Sequence, residues 1–150
     1  MATVHGTCLV VASAGLLLRG PSGAGKSDLA LRAIHDGSGK LVADDQVALE
    51  THPDGTLRAS PPAVLAGRIE VRGIGILDID HLPCCRLDAV IDLVEREGVE
   101  RMPDPRQEIL MGIALPAFCL HAFDASAPAR LRLVARLCLE AHNGEATHGR

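Results

Sequence analysis

The fold of this chain is decided by one glycine-rich stretch, Gly20-Pro21-Ser22-Gly23-Ala24-Gly25-Lys26-Ser27. The stretch fits the pattern G-x-x-x-x-G-K-[ST], and we call residues 20–27 the phosphate loop. Three leucines at positions 16–18 precede it and predict a buried strand. Apolar side chains at helical spacing follow it and predict a helix that Gly37 can end. Strand, loop and helix in this order are the context in which the pattern binds phosphate.

The residue types of the phosphate loop suit the phosphate groups of a nucleotide. Glycines let successive backbone N–H groups point inward, and the following helix adds partial positive charge at its N-terminus. Lys26, expected to be solvated in the free protein, can reach the β- and γ-phosphates, and the Ser27 hydroxyl can bind Mg²⁺. The loop therefore predicts phosphate binding with Mg²⁺ as cofactor. ATP is the expected phosphoryl donor, while the pattern by itself does not name the preferred nucleotide or exclude pyrophosphate. The alternative, a chance Gly/Ser turn before a helix, is disfavoured because every fixed position of the pattern is present.

Length, charge and composition exclude several classes of protein. With 150 residues, 47% of them apolar, the chain predicts one folded domain at 1–142 and a disordered polar tail at 143–150. The net charge of -4 argues against a nucleic-acid partner. Phe118 and Phe123 are its only residues of the Phe, Tyr and Trp types. We therefore expect any adenine to be held by aliphatic side chains and backbone.

The N-terminus and the cysteines predict a cytoplasmic protein. No basic segment followed by an unbroken apolar run is present, so no signal peptide is expected, and no apolar run could span a membrane. The five cysteines form no C-x-x-C pair, which argues against a zinc site, and their odd number argues against a disulfide framework. Reduced thiols in a reducing compartment are the expectation.

Adjacent carboxylates end the next predicted strand, the apolar run at residues 40–43. Asp44 and Asp45 could divide two tasks between them, holding magnesium through water and accepting a proton from an attacking hydroxyl. Neighbours in a strand point to opposite faces, so at most one of them is expected to be the base. A solvated turn is the alternative for this pair. Asp92, which also ends an apolar run, is a rival metal ligand.

The remaining pattern predicts an α/β domain. Strands are expected at residues 3–12, 87–94 and 113–115, a hairpin at 46–58, and a closing amphipathic helix at 128–141. A turn at residues 13–15 would lead into the strand before the phosphate loop. Two glycines among β-branched residues, Gly73 and Gly75, predict a strand or loop where the backbone approaches another group closely.

Four segments together resemble the catalytic domain of the HPr kinase/phosphorylase family, bacterial enzymes that phosphorylate a seryl hydroxyl of the phosphocarrier protein HPr. The segments keep the family's order and approximate spacing. They are Val4-His5-Gly6, the phosphate loop, Leu41-Val42-Ala43-Asp44-Asp45, and Ile69-Glu70-Val71-Arg72-Gly73-Ile74-Gly75-Ile76. The last looks like the family's own signature and is the most specific. The resemblance covers about residues 3–140 and implies a short form without the family's usual N-terminal domain.

The resemblance also implies roles for individual residues. The family's active-site histidine falls on His5, and its catalytic aspartate, proton acceptor in phosphorylation and donor in the reverse step, falls on Asp45. Its second magnesium ligand falls on Glu70, and its loop lysine and magnesium-binding serine fall on Lys26 and Ser27.

Two further positions follow from the same comparison. An active-site arginine in a D-R-L-G-like element has its nearest match in Glu100-Arg101-Met102-Pro103, which places it on Arg101. Asp92 falls in an ordinary core strand, which argues against Asp92 as the metal ligand. In the signature segment the implied residues are Glu70, Arg72, Gly73 and Gly75.

For the whole protein, the resemblance implies a mixed sheet around the phosphate loop with flanking helices, related to phosphoenolpyruvate carboxykinase. It implies an HPr-type phosphocarrier as the partner and assembly as a homo-oligomer, a hexamer in the family. From the residues alone, a small-molecule kinase or nucleotide hydrolase stays possible, as does a regulatory nucleotide-binding module without chemistry. The pair Asp44-Asp45 favours catalysis, because a regulatory module needs no base.

The chain departs from the family in one loop. Where family members carry a basic segment of the V-R-P-G-R-N kind, residues 121–130 keep one arginine, Arg130, have no glycine, and add Asp124. The phosphorylase reaction needs inorganic phosphate to attack phosphoserine. With Arg130 alone to offset the repulsion from Asp124, the departure predicts weak or absent phosphorylase activity. The alternative is that another part of the chain, or a neighbouring subunit, supplies the missing positive charge.

Overall fold

A six-stranded mixed sheet carries the phosphate loop at the end of its second strand along the chain. The computed structural model describes residues 1–148, and the element bounds follow. The strands are β1 (Ala2–His5), β2 (Thr7–Val11), β3 (Ala14–Arg19), β4 (Gly39–Ala43), β5 (Gln46–Thr51), β6 (Leu57–Ser60), β7 (Arg68–Val71), β8 (Gly75–Asp78), β9 (Cys85–Arg86), β10 (Ala89–Leu93), β11 (Arg106–Leu110) and β12 (Ile113–Leu120). The helices are α1 (Lys26–His35), α2 (Ala127–His148) and two 3₁₀ turns, Ala63–Leu65 and Arg96–Gly98.

The main sheet has the strand order β11-β12-β10-β3-β2-β4. Its centre is parallel, because β10 runs parallel to both β3 and β12, and the outer pairs are antiparallel. A second sheet, β1-β5-β6-β9, and the separate hairpin β7–β8 complete the strands of the described residues. The predicted mixed α/β sheet with flanking helices is confirmed.

The leucines of β3 explain why this strand lies at the centre. Leu16 and Leu18 pack with the helices α1 and α2 on one face of the main sheet, while Leu17 faces the second sheet. All three are fully buried. A strand covered on both faces has a continuous apolar sequence, as the sequence of β3 has.

The prediction of one strand over residues 3–12 is wrong. The chain changes sheets at Gly6, so β1 pairs with β5 and β2 pairs with β3 and β4. A Cβ at Gly6 would lie 2.8 Å from the backbone oxygen of Leu18, so only glycine fits this crossing. The following turn also lies one residue or two earlier than expected. Ala12 and Ser13 have positive φ values of 49° and 72°, as in the turns that suit tight hairpins.

Three other expectations need correction. The strand expected at 113–115 runs through Pro116 to Leu120, and its partner β11 was not foreseen. A Cβ on Gly73 or Gly75 would meet no described atom within 4 Å, so these glycines serve the β7–β8 turn through their φ values of 90° and 125°, not a close approach.

The C-terminal end of the domain is helical beyond the predicted boundary. Helix α2 continues to His148, past the expected helix end at 141. The disordered tail at 143–150 stays a prediction, and its last two residues lie outside the described part of the chain. No helix within residues 1–148 is both long and apolar enough to cross a membrane.

Candidate active site around the phosphate loop

The phosphate loop has a backbone that depends on its glycines. Gly23 and Gly25 have φ values of 84° and 96°, which other residues rarely adopt. Gly25 is the N-cap of α1, and its carbonyl accepts a hydrogen bond from the Leu29 N–H at 2.9 Å. The free N–H groups of the first helical turn therefore face the loop. This is the arrangement that binds anions.

Lys26 is held inside the loop, so the expectation of a solvated lysine is wrong. Its ammonium donates to the carbonyls of Gly20 at 2.6 Å and Pro21 at 3.0 Å, and the residue is only 9% exposed. These carbonyls fix the position of the charge. An ammonium has three N–H donors, so one more is available to a phosphate oxygen.

Asp44 joins three distant segments of the chain. Its Oδ1 accepts hydrogen bonds from the Thr7 hydroxyl at 2.9 Å and the Ser27 hydroxyl at 2.7 Å, and its Oδ2 accepts one from the Glu70 backbone N–H at 3.2 Å. Asp44 is 5% exposed and Thr7 is fully buried. We call this cluster, Thr7, Ser27, Asp44 and the Glu70 backbone, the phosphate-loop centre.

Asp45 points away from that centre. It has a φ of 70°, and its Oδ1 lies 3.6 Å from Nδ1 of His5. Both side chains are exposed, by 59% for His5 and 64% for Asp45. The two adjacent aspartates therefore have different surroundings, while the division of catalytic tasks between them stays a prediction. His5 and Asp45 are neighbours although 40 positions separate them in the sequence.

The signature segment meets the centre at one end only. The Glu70 backbone contacts Asp44, while its carboxylate is exposed. Arg72, Gly73 and Gly75 lie farther along the hairpin and are exposed. No group of three or more His, Cys, Asp or Glu side chains within residues 1–148 could hold a metal. The available donors near the phosphate loop are oxygens of Ser27, Asp44 and Glu70, a donor type that suits Mg²⁺ shared with phosphates.

Asp92 is occupied by two arginines. Its Oδ1 accepts from Arg19 Nε at 2.9 Å, and its Oδ2 accepts from Arg19 Nη2 at 3.1 Å and Arg106 Nη2 at 2.9 Å. The hydrogen bond with Asp92, followed by that with Glu108, raises the pKa of Arg19. These contacts tie β3, β10 and β11 together and engage both oxygens of the carboxylate with guanidinium donors.

Arg101 lines an open cavity of about 680 Å³ instead of contacting the phosphate loop. It forms no hydrogen bond or ion pair with Lys26, Ser27 or Asp45 within the described chain. We call this cavity, with Arg96, Arg101, Asp124 and Arg130 in its wall, the arginine cavity.

The expectation that Arg130 alone offsets Asp124 is wrong. Arg96 donates to Asp124 Oδ1 from Nε at 3.1 Å and from Nη2 at 2.8 Å, and Arg130 Nη1 lies 3.8 Å from Asp124 Oδ2. Sequence reasoning missed Arg96, because a surface arginine 28 positions from its partner carries no local signal.

A family model described as the HPr Serine kinase C-terminal domain matches residues 1–96. The chain belongs to this family. The matched residues include those of the phosphate-loop centre, His5 and Asp45. The match ends before Arg101 and before the loop at 121–130.

Relatives and a solved structure agree with the assignment. The HPr kinase/phosphorylase of Bordetella pertussis is 49% identical over 120 residues, covering 72% of this chain and 39% of the relative. That of Levilactobacillus brevis is 37% identical over 95 residues, covering 61% and 30%. The chain thus spans well under half the length of these curated relatives. A structure of the Hpr(Ser) kinase/phosphatase from Coxiella burnetii matches with a TM-score of 0.86 at 29% identity, covering 99% of this chain and 98% of that one.

Proposed function

We propose that this chain is an ATP- and Mg²⁺-dependent protein-serine kinase whose substrate is an HPr-type phosphocarrier. One observation carries the proposal: the 2.7 Å hydrogen bond from the Ser27 hydroxyl to Asp44 joins the end of the phosphate loop to the acidic pair. The second member of that pair lies beside His5. Transfer of a phosphoryl group to a hydroxyl needs a phosphate cradle beside a proton acceptor. The names of the relatives, which give both a kinase and a phosphorylase activity, support HPr as the protein substrate.

Binding of the donor falls to the phosphate loop. The backbone N–H groups of residues 20–27 and the ammonium of Lys26 hold the phosphates of ATP. Ser27 and Glu70 are the proposed magnesium ligands, with Asp44 orienting the Ser27 hydroxyl. When bound, Mg²⁺ supplies electrostatic stabilisation of the charge on the β- and γ-oxygens.

Asp45 is the proposed base. It would take the proton from the acceptor serine as the bond from the serine oxygen to the γ-phosphorus forms and the bond from that phosphorus to ADP breaks, with ADP leaving. In the reverse step it would return the proton to the serine oxygen. His5, 3.6 Å away, orients the carboxylate. Both side chains are largely exposed, which supports a folded protein as the acceptor, because a residue on a rigid surface must be able to reach the base.

The arginine cavity bears on the reverse reaction, in which inorganic phosphate attacks phosphoserine and releases pyrophosphate. Three arginines line the cavity, but Asp124 is paired with Arg96 and lies near Arg130. An incoming phosphate dianion must compete with this carboxylate. Weak phosphorylase activity is therefore part of the proposal, because the Asp124 carboxylate competes with phosphate for the arginines.

The proposal extends to the setting of the enzyme. A fold related to phosphoenolpyruvate carboxykinase, a homo-oligomer with the hexamer as the family form, and a cytoplasmic location are its further parts. The chain spans well under half the length of the curated relatives, so the activity of the whole relatives is proposed here for this chain alone.

The test is incubation of the purified chain with γ-labelled ATP, Mg²⁺ and an HPr-type protein, followed by mapping of the label. Label on a serine of the carrier is the expected result. Phosphate release without transfer would instead indicate a nucleotide hydrolase, and binding without turnover would indicate a regulatory module. Omitting Mg²⁺, or using a carrier with that serine replaced by alanine, provides the controls.

A further inference from the structure

A narrow groove of about 170 Å³ opens beside the phosphate loop. Residues 21–24 of the loop form one wall. His121 and Phe123 stand in the other, with Val94 and Glu95 between them. The groove therefore joins the proposed phosphate site directly to the chain's only exposed phenylalanine among the described residues.

Phe123 touches the phosphate loop and is still open to solvent. A Cβ on Gly25 would lie 2.9 Å from Cζ of Phe123, so the edge of the ring rests on the loop backbone. The residue is nevertheless 55% exposed. A large apolar ring that is exposed at the mouth of a groove has a face available for another flat ring.

The position of this ring is fixed before any ligand arrives. The His121 ring meets the Phe123 ring edge to face, with centroids 5.7 Å apart and an interplanar angle of 72°. His121 Nδ1 lies 2.9 Å from the Val94 carbonyl, which only accepts, so Nδ1 is the donor. Arg32 of α1 donates to the carbonyls of Ala122 and Asp124 and holds the backbone on both sides of Phe123.

We infer that Phe123, braced by His121, is the surface on which the base of a nucleoside triphosphate stacks while its phosphates lie over residues 20–27. This inference rests on the proposed function, because it takes the loop as a phosphate site. It replaces the expectation that aliphatic side chains and backbone would hold adenine. It also names the class of donor: a nucleotide, whose base gains stacking energy here, in preference to pyrophosphate, which has no base.

ATP and pyrophosphate provide the test, because both carry phosphates and only ATP carries a base. Calorimetric titration of Mg-ATP and of Mg-pyrophosphate into the wild-type chain and Phe123→Leu compares them. Leucine keeps the apolar contact with Gly25 and removes the aromatic face. Stacking on an aromatic side chain contributes enough that ATP should bind roughly 5- to 150-fold more weakly to the variant. Pyrophosphate affinity should stay within about twofold.

Phe118→Leu is the matched control, since it makes the same change on β12 and not in the groove; circular dichroism checks that each variant is folded. Equal weakening of ATP and pyrophosphate by Phe123→Leu would mean that the ring only supports the loop, and unchanged affinity for both would mean that the base lies elsewhere. Either result overturns the inference. A wild-type chain that binds neither donor would instead refute the phosphate site itself, and the inference with it.

Discussion

The phosphate-loop centre and the arginine cavity both contain charged side chains, but these are buried in the centre and at least partly exposed in the cavity. In the centre, Asp44 is buried and accepts three hydrogen bonds of 2.7 to 3.2 Å. In the cavity, Arg96, Arg101 and Arg130 are at least partly exposed around Asp124. A buried carboxylate must have its partners or the fold loses stability, whereas an exposed ion pair contributes about 0–1 kcal/mol.

The two regions also lie differently with respect to the residues that the family model matches. Residues of the centre fall inside the matched range 1–96, and the loop at 121–130 falls outside it. A change in the exposed cavity leaves the fold almost untouched, so its charges can be altered to suit a reaction. The centre has no such freedom, since each of its three donors comes from a different segment.

The largest expected effect separates the two aspartates of the acidic pair. Asp45→Asn keeps the shape but cannot accept a proton, so kcat should fall about 10²- to 10⁴-fold with nearly unchanged nucleotide affinity. Asp44→Asn should lower kcat less. Steady-state kinetics with the carrier protein and titration with Mg-ATP measure both quantities. The reverse order of severity would assign the base to the buried residue.

Removal of the Lys26 ammonium is expected to weaken nucleotide binding and lower turnover. Lys26→Ala deletes the charge held at the loop carbonyls, and loss of one such electrostatic contact costs about 10²- to 10³-fold in kcat. Lys40→Ala, which changes the chain's other lysine on the exposed side of β4, is the control. Because Lys26 is 9% exposed and bonded, its loss should also lower the melting temperature slightly. Unchanged kinetics in a folded variant would refute the phosphate site.

Stability provides the next contrast. Asp44→Ala leaves the fully buried Thr7 hydroxyl without its acceptor, and an unsatisfied buried group costs about 1–3 kcal/mol of unfolding free energy. Asp45→Ala, at an exposed site, should cost much less. Thr7→Val combined with Asp44→Ala should recover part of the loss, because both partners are then apolar. Urea denaturation of the four proteins measures this, and equal costs for Asp44→Ala and Asp45→Ala would contradict the role of the centre.

The smallest effect is expected in the arginine cavity. Asp124→Asn frees Arg96 and Arg130 for a phosphate dianion, so pyrophosphate release from serine-phosphorylated carrier should rise by up to about fivefold. The forward reaction should not change. Glu97→Gln, which removes a nearby exposed charge outside the cavity wall, is the control. A rate in wild type that already equals the forward reaction would show that Asp124 does not limit phosphate entry.

Much of the phosphate-loop centre could be predicted from sequence because its parts carry local signals. Three signals each indicate the local structure within a few residues: the loop pattern, the leucines of β3, and the spacing of Leu29, Ala30 and Ala33 in α1. The separation of Asp44 from Asp45 does not come from the strand alternation used to predict it, because both residues follow β4 and Asp45 has a φ of 70°. What these signals could not give was the partner of Asp44, because Thr7 is 37 positions away.

The parts that sequence reasoning missed depend on tertiary contact or on exposure. From the sequence, Gly6 is interpreted as one more strand residue. The need for glycine is visible only in the structure, where the Leu18 carbonyl lies against it. The edge strand β11 is partly polar, with Arg106 and Gln107 both exposed, so it shows no apolar alternation. In the sequence, Phe123 is an isolated aromatic residue with no motif around it. Its contact with Gly25 arises only from the fold.

The β7–β8 hairpin is a two-stranded unit, and Asp44 bonds the backbone of its first strand. Ile69 is buried, but Ile74 and Ile76 near its tip are about 70% exposed. Such a unit opens locally at lower free energy than the main sheet. A ligand that orders Asp44 makes that opening rarer. Thermodynamic linkage is reciprocal, so a partner that held the hairpin closed would raise the affinity of the phosphate loop for its ligand by the same factor as that ligand raised the affinity for the partner.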